Sequence, residues 1–354
     1  MPPLPSSFAI GAVLVVLASI GALAALAHAA ARRERRQRRA RVRALARRFA
    51  AFLSGRRETA DVVHDAAHAR NATFWGALER VALGAGLVPM RALGRALARN
   101  RHVAAERRAL ADDSPERRER AARRLALIPS PPSRKALRRA LTRGPEAATF
   151  AAALALARHR DRTALVWLLQ HPHALERRPL RARVTAFRAF GPRALPDLAA
   201  ALATGSDHAL EAALIETLGL GGAAHAAPVI ARRLRAAPLD GRVAAARALG
   251  RLRVADAVPA LCRALTDEAW EVRAQAAWAL GQIGAEACAP ALAAVLTDRA
   301  WWVRHHSAYA LAGLGETGRA ALEKAASTSH DRYAREMAQE ALAGGFAAGV
   351  GMRA

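Results

Sequence analysis

Val272-Arg-Ala-Gln-Ala-Ala-Trp-Ala-Leu280-Gly281 decides how this chain folds, because its outline returns at a fixed interval. Leu218, Leu249, Leu280, Leu311 and Leu342 are each 31 residues apart, and Arg242, Arg273, Arg304 and Arg335 keep the same period. Each leucine closes an alanine-rich segment of strong helix formers, which reads as one helix. Pro228, Pro259 and Pro290 share the period and open a second, shorter run such as Val258-Pro-Ala-Leu-Cys-Arg-Ala-Leu265. Proline is tolerated in a first helical turn because the N–H it lacks has no intrahelical partner there. The unit is therefore helix, short turn, helix, short turn. Neither helix buries its apolar face alone, so successive pairs must stack into a superhelix.

Toward the N-terminus the pairs continue with looser phase. Arg118 to Ile128 with Arg134 to Leu141 makes a first pair, Glu146 to Ala157 with Thr163 to Leu169 a second, and Arg181 to Gly191 with Leu195 to Leu202 a third. Ala209 to Gly219 with Ala227 to Leu234 is the first pair in phase with those that follow. Spacings of 29, 34 and 28 residues between Leu127, Leu156, Phe190 and Leu218 mark variable early loops. A repeat solenoid is expected over residues 114–344, with seven pairs and a closing helix from Arg332, and a flexible tail over 345–354. Only 5% of the chain is aromatic, and alanine, leucine and arginine dominate, so composition alone predicts an all-α protein.

Residues 8–30 carry no charge over 23 positions, long enough to cross roughly 30 Å of hydrocarbon as a helix. The alternative of a cleaved signal peptide fits less well, because Met1 to Ser7 has no basic side chain and the positive charge follows the apolar run. Ten arginines stand between Ala31 and Arg48. By the positive-inside rule, this predicts a single-pass protein of the bacterial inner membrane, with residues 1–7 outside, a transmembrane helix over 8–30 and the repeats in the cytoplasm. Arg32, Arg33, Arg35, Arg36, Arg38, Arg39, Arg41 and Arg43 are then candidates to rest on anionic lipid. A basic juxtamembrane helix is expected over 31–58, with Val42, Leu45, Phe49 and Phe52 or Leu53 on one apolar face, and a helical cap or linker over 59–113.

The net charge of +26 is unevenly spread: residues 1–200 hold 39 basic against 14 acidic side chains, and residues 201–354 hold 16 against 15. Nucleic acid is thus a runner-up partner for the basic half, centred on Arg117, Arg118, Arg120, Arg123, Arg124, Arg134, Arg138 and Arg139. Cys262 and Cys288 are the only cysteines; a buried free thiol is the ordinary reading, with a disulfide or a metal pair as alternatives.

The order Asp267…Val272-Arg273…Ala279-Leu280-Gly281…Ala289-Pro290-Ala291-Leu292, repeated as Asp298…Val303-Arg304…Ala310-Leu311, resembles the HEAT repeat, in particular the short bacterial form named after phycobilisome lyases. The resemblance implies an Asp–Arg ladder along the stack, formed by Asp267, Asp298, Arg242, Arg273, Arg304 and Arg335. It also implies a concave face, lined by second helices, that receives partners. Ala236 and Ser329 occupy the ladder phase without an acid. The family includes scaffolds, lyases and a metal-dependent hydroxylase, so the fold alone does not fix the activity.

Trp270, Trp301, Trp302 and His305 form the candidate protein-binding cluster, since large rigid aromatics at successive turns give contact area at low entropic cost; packing between repeats is the alternative. His305 and His306 are poor joint metal ligands, because neighbouring helical residues diverge by about 100°. His64 and His68 share a face but lack a third ligand. There is no phosphate loop, nucleophile elbow or zinc spacing. The sequence thus reads as an all-α HEAT-like solenoid preceded by one transmembrane helix. It would be a membrane-anchored scaffold for protein partners and not an enzyme, with no cofactor and no small-molecule substrate. A lyase or hydroxylase-like activity is a remoter alternative.

Overall fold

The computed structural model describes residues 6–144, 146–205 and 208–344, with side chains from residue 22 onward except at 146 and 147. Most of the expected extracytoplasmic N-terminus (1–7) and all of the C-terminal tail (345–354) lie outside the described residues. Every regular element described is helical. The chain divides into two compact units, Met1–Ala155 and Leu156–Ala354.

The first unit contains α1 (Ser6–Leu53), α2 (Thr59–His68), α3 (Asn71–Ala82), α4 (Leu87–Ala96), α5 (Arg101–Ala109), α6 (Pro115–Leu125) and α7 (Pro131–Arg143). Helix α8 (Glu146–Arg158) spans the division. The last turns of α1 pack on α3, burying Leu45, Ala46 and Phe49, and the Phe49 ring meets Phe74 edge-on at 6.3 Å. Phe74 in turn meets Trp75 edge-on at 4.9 Å. Arg48 and Arg57 both reach Asp65 at 2.6 Å, which ties the α1–α2 turn down.

The structure corrects the expected membrane anchor. Among the described residues no helix is long and apolar enough to cross a membrane. Helix α1 continues through the arginine run without a break. The transmembrane helix over 8–30, the single-pass inner-membrane topology and the lipid-resting role of Arg32, Arg33, Arg35, Arg36, Arg38, Arg39, Arg41 and Arg43 lose their footing together; the side chains of residues 8–21 are outside the description.

The second unit continues with α9 (Arg162–Gln170), α10 (His173–Glu176), α11 (Leu180–Ala189), α12 (Leu195–Ala203), α13 (His208–Leu220) and α14 (Ala227–Ala236). It closes with α15 (Leu239–Leu252), α16 (Val258–Ala264), α17 (Trp270–Ile283), α18 (Ala289–Ala294), α19 (Trp301–Ala312), α20 (Gly315–Thr328) and α21 (Arg332–Leu342). Helices α11, α13, α15, α17, α19 and α21 follow one another as one layer. In the second layer α12 packs on α14, α14 on α16, and α18 on α20. This is a HEAT-like α-solenoid. The short helix α10 was not legible in the sequence; it occupies the longest early spacing, the 34 residues from Leu156 to Phe190.

Local chemistry explains the pairs. A single 3-10 turn precedes α14, α16 and α18, and each of these helices carries its proline within the first two positions. Leu218, Leu249, Leu280 and Leu311 are fully buried, while Leu342, the last of the series, is 37% exposed. Directly after these leucines stand Gly219, Gly250 and Gly281. A Cβ added there would lie 2.8, 2.8 and 2.9 Å from the Cα of Ala248, Ala279 and Ala310 in the next first helix. Glycine is required because the backbones themselves touch.

Gly281→Ala should therefore destabilise the second unit by about 1–3 kcal/mol through overpacking. Gly84→Ala, where an added Cβ meets nothing within 4 Å, should be neutral or slightly stabilising. Urea unfolding followed by tryptophan fluorescence separates the two; equal midpoints would mean that the helices part without cost.

Candidate protein-docking site

The entrances of α17 and α19 are held by acid–base pairs that cross from one repeat to the next. Arg242 reaches Asp267 and Glu268, each at 3.0 Å. Arg273 grips Asp298 with two hydrogen bonds, Nε to Oδ2 at 2.7 Å and Nη2 to Oδ1 at 2.9 Å. Such a planar fork on a carboxylate gives orientation as well as energy. The same aspartates cap the following turn, Asp267 accepting from the Ala269 N–H at 2.9 Å and Asp298 from the Ala300 N–H at 2.8 Å. Arg304 donates to the Asp298 and Arg299 carbonyls at 2.8 and 3.1 Å and lies over the Tyr333 ring at 5.1 Å. Arg335 donates to the Ser329 carbonyl at 2.8 Å.

Burial pushes the Asp298 carboxyl up, but the hydrogen bonds from Arg273 and Ala300 and the positive charges of Arg273 and Arg304 outweigh it. Asp298 thus sits below the usual carboxylate range. Its bonds to Asp298 raise the Arg273 guanidinium, against burial.

At this framework stand the aromatic side chains. Trp270 opens α17 and Trp301 opens α19, one repeat apart, so the two rings project from neighbouring first helices. Trp270, Trp301 and Trp302 are 41%, 47% and 44% exposed, so stacking of the repeats does not consume them. Trp301 stacks on the half-buried His305 at 4.6 Å and meets Trp302 edge-on at 4.8 Å. Tyr309 is exposed two turns further along α19. Burial lowers the His305 pKa, opposed by the charge of Glu340, and so favours the neutral ring that stacks on Trp301. His306 points the other way: it is buried, bonded to the Ala274 carbonyl at 2.9 Å, and its pKa is lowered by burial.

Sequence reasoning missed two buried acids. Glu216 is held by Arg247 at 3.0 Å and Arg251 at 2.6 Å from the next repeat, and Glu211 by Arg233 at 2.7 Å and His208 at 3.1 Å. The available signal was an acid on each of two successive turns of the otherwise apolar segment Leu210–Leu218. The cysteines also depart from the ordinary free-thiol reading. Cys262 in α16 and Cys288 before α18 are paired as a disulfide, their Cα atoms 6.2 Å apart, because stacking sets these positions of successive repeats side by side.

Several of the basic side chains considered for nucleic acid are engaged internally. Arg117 pairs with Asp112, Arg123 with Glu119 and Arg124 with Glu106, while Arg118 donates to the Asp112 carbonyl. Among the described residues no group of three or more His, Cys, Asp or Glu is placed to hold a metal ion.

A family profile described as HEAT repeats matches residues 226–312. No curated protein matches the sequence. Among solved structures, an engineered protein is 20% identical, with 85% of this chain and 93% of that chain covered and a TM-score of 0.41. Human deoxyhypusine hydroxylase in complex with glycerol is 23% identical, covered over 68% of this chain and 94% of its own, with a TM-score of 0.29. Kap121p bound to Ste12p is 12% identical, covered over 80% of this chain and 37% of its own, with a TM-score of 0.46. The profile match corrects the narrower lyase-type resemblance: an Asp–Arg order and a proline-opened second helix do not separate that form from HEAT repeats at large.

Replacing Asp298 by Ala should cost about 1–3 kcal/mol, because Arg273 and the Ala300 N–H lose their acceptor. A carboxyl with a lowered folded pKa contributes stability that is complete above its unfolded value and lost as pH falls through the folded one. The advantage of the native chain over Asp298→Asn should therefore be full above about pH 5 and shrink below about pH 4. A difference independent of pH in paired denaturation curves would remove the charge from the account.

Proposed function

We propose that this protein is a scaffold that binds a protein partner at the entrances of α17 and α19, and not an enzyme. The observation that carries the reading is the exposure of Trp270, Trp301 and Trp302 on one end of a rigid stack. Indole rings bury roughly 150–250 Å² each and dominate interface energetics when a partner covers them. The Arg242–Asp267 and Arg273–Asp298 pairs fix the helix entrances that carry the rings, so little ordering remains for binding to supply. His305 flattens the surface by stacking on Trp301. The near-neutral charge of residues 201–354 suits a surface that recognises its partner by shape and apolar contact rather than by long-range attraction.

Photocrosslinking in intact cells tests this. Benzoylphenylalanine in place of Trp301 should give a discrete protein adduct, and in place of the exposed Arg319 on α20 it should give none. Trp270→Ser with Trp302→Ser should abolish the adduct while changing stability by no more than about 0.5 kcal/mol, as surface substitutions do. Equal labelling at positions 301 and 319, or an adduct that survives the double substitution, would move the docking site elsewhere.

A further inference from the structure

The first unit carries a second surface of different character. Between α1 and the turn joining α3 to α4 lies a groove of about 800 Å³, running along α1 from Ala40 to Ser54. Its floor is apolar, with Ala46, Ala50, Leu53, Val81 and Pro89 among the lining side chains. Leu83 in the turn and Val88 at the start of α4, next in the chain to the lining residues Gly84 and Pro89, are 90% and 77% exposed, the two most exposed large apolar side chains among the described residues. Arg43, Arg47 and Arg80 line the same groove, all three exposed. The lining holds no acid, and none of these three arginines forms an ion pair among the described residues. Arg48 on the same helix, by contrast, is engaged by Asp65, which also holds Arg57 of the α1–α2 turn.

An apolar trough with unpaired cations along it fits one chemistry. We propose that the groove receives an amphipathic helix of a partner protein, apolar on the face toward α1 and bearing carboxylates beside that face. Helix-in-groove recognition reads such a segment through anchors at i, i+3, i+4 and i+7, and α1 offers about 21 Å of length, some four turns, from Ala40 to Ser54. The alanines and the glycines of the turn let a partner backbone approach closely. A second copy of this chain is the wrong occupant, since both grooves would present arginines to each other and the chain carries a net +26. Nucleic acid fits less well, because no aromatic ring lines the groove to stack a base and an apolar floor gives phosphates nothing.

The test uses the full chain and a synthetic fluorescein-labelled helical peptide of about four turns, with leucines at i, i+4, i+7 and i+11 and glutamates flanking them, read by anisotropy. Binding should weaken about tenfold in Arg47→Glu with Arg80→Glu and return when lysines replace the peptide's glutamates. Ala50→Trp should block it by filling an exposed position on the groove, with circular dichroism unchanged. Trp301→Ser, on the other docking surface, should leave it untouched. Equal binding of a scrambled peptide of the same composition would overturn the proposal in favour of charge alone. So would indifference to Ala50→Trp, or displacement of the peptide by a short DNA duplex whose own binding ignores Ala50→Trp.

Discussion

Backbone contact between a glycine and an alanine, repeated at Gly219–Ala248, Gly250–Ala279 and Gly281–Ala310, sets the geometry of the C-terminal unit. Helices normally pack 8–10 Å apart, the distance depending on the side chains between them. Removing the side chain on one side and reducing it to a methyl on the other brings the axes to the near end of that range. It also forces the large side chains to the flanks of the contact, where the buried leucines of the same period fill the space between layers.

Charge acts on the other end of the same helices. Arg242–Asp267 and Arg273–Asp298 join consecutive repeats near the helix entrances, while the glycine contacts join them near the exits. Partly buried pairs of this kind contribute less net energy than their geometry suggests, because both ions lose water. Their structural effect is direction: each aspartate orients an arginine from the preceding repeat and caps its own turn, so neither turn can shift alone. At the last boundary Ser329 replaces the acid and Arg304 rests on Tyr333 instead.

Period and residue type made the repeats legible. Leucine, glycine, arginine and proline each recur at 31 residues, and each does a separate physical task at its position. The four-residue helix α10 was hidden because His173–Glu176 is too short to show a periodicity. The Cys262–Cys288 pairing was hidden because composition reports apolar surroundings and not which repeats adjoin. The buried Glu211 and Glu216 were hidden because their arginine partners lie on another helix, Arg233 in the second helix of the same pair and Arg247 and Arg251 in the next repeat, where no local pattern announces them. The apolar run from residue 8 misled in a different way: its length, lack of charge and flanking arginines read as a span, whereas no helix among the described residues is long and apolar enough to cross a membrane, and the helix that contains the run ends as core of the first unit at Leu45 and Phe49. At the proposed docking surface, sequence picked out Trp270, Trp301 and Trp302, but their solvent exposure, and the stacking of His305 on Trp301, came from the structure.

The glycine contacts also act as a fulcrum. Gly281 lies eleven residues from Trp270 along α17, about 16 Å by helical rise. A pivot of α19 against α17 at the Gly281–Ala310 contact would displace the aromatic tips by about 0.3 Å per degree over that lever arm. Trp270 and Trp301 are in this sense the points of a caliper, and the Arg273–Asp298 fork, one turn from Trp270, is the latch that holds its gap.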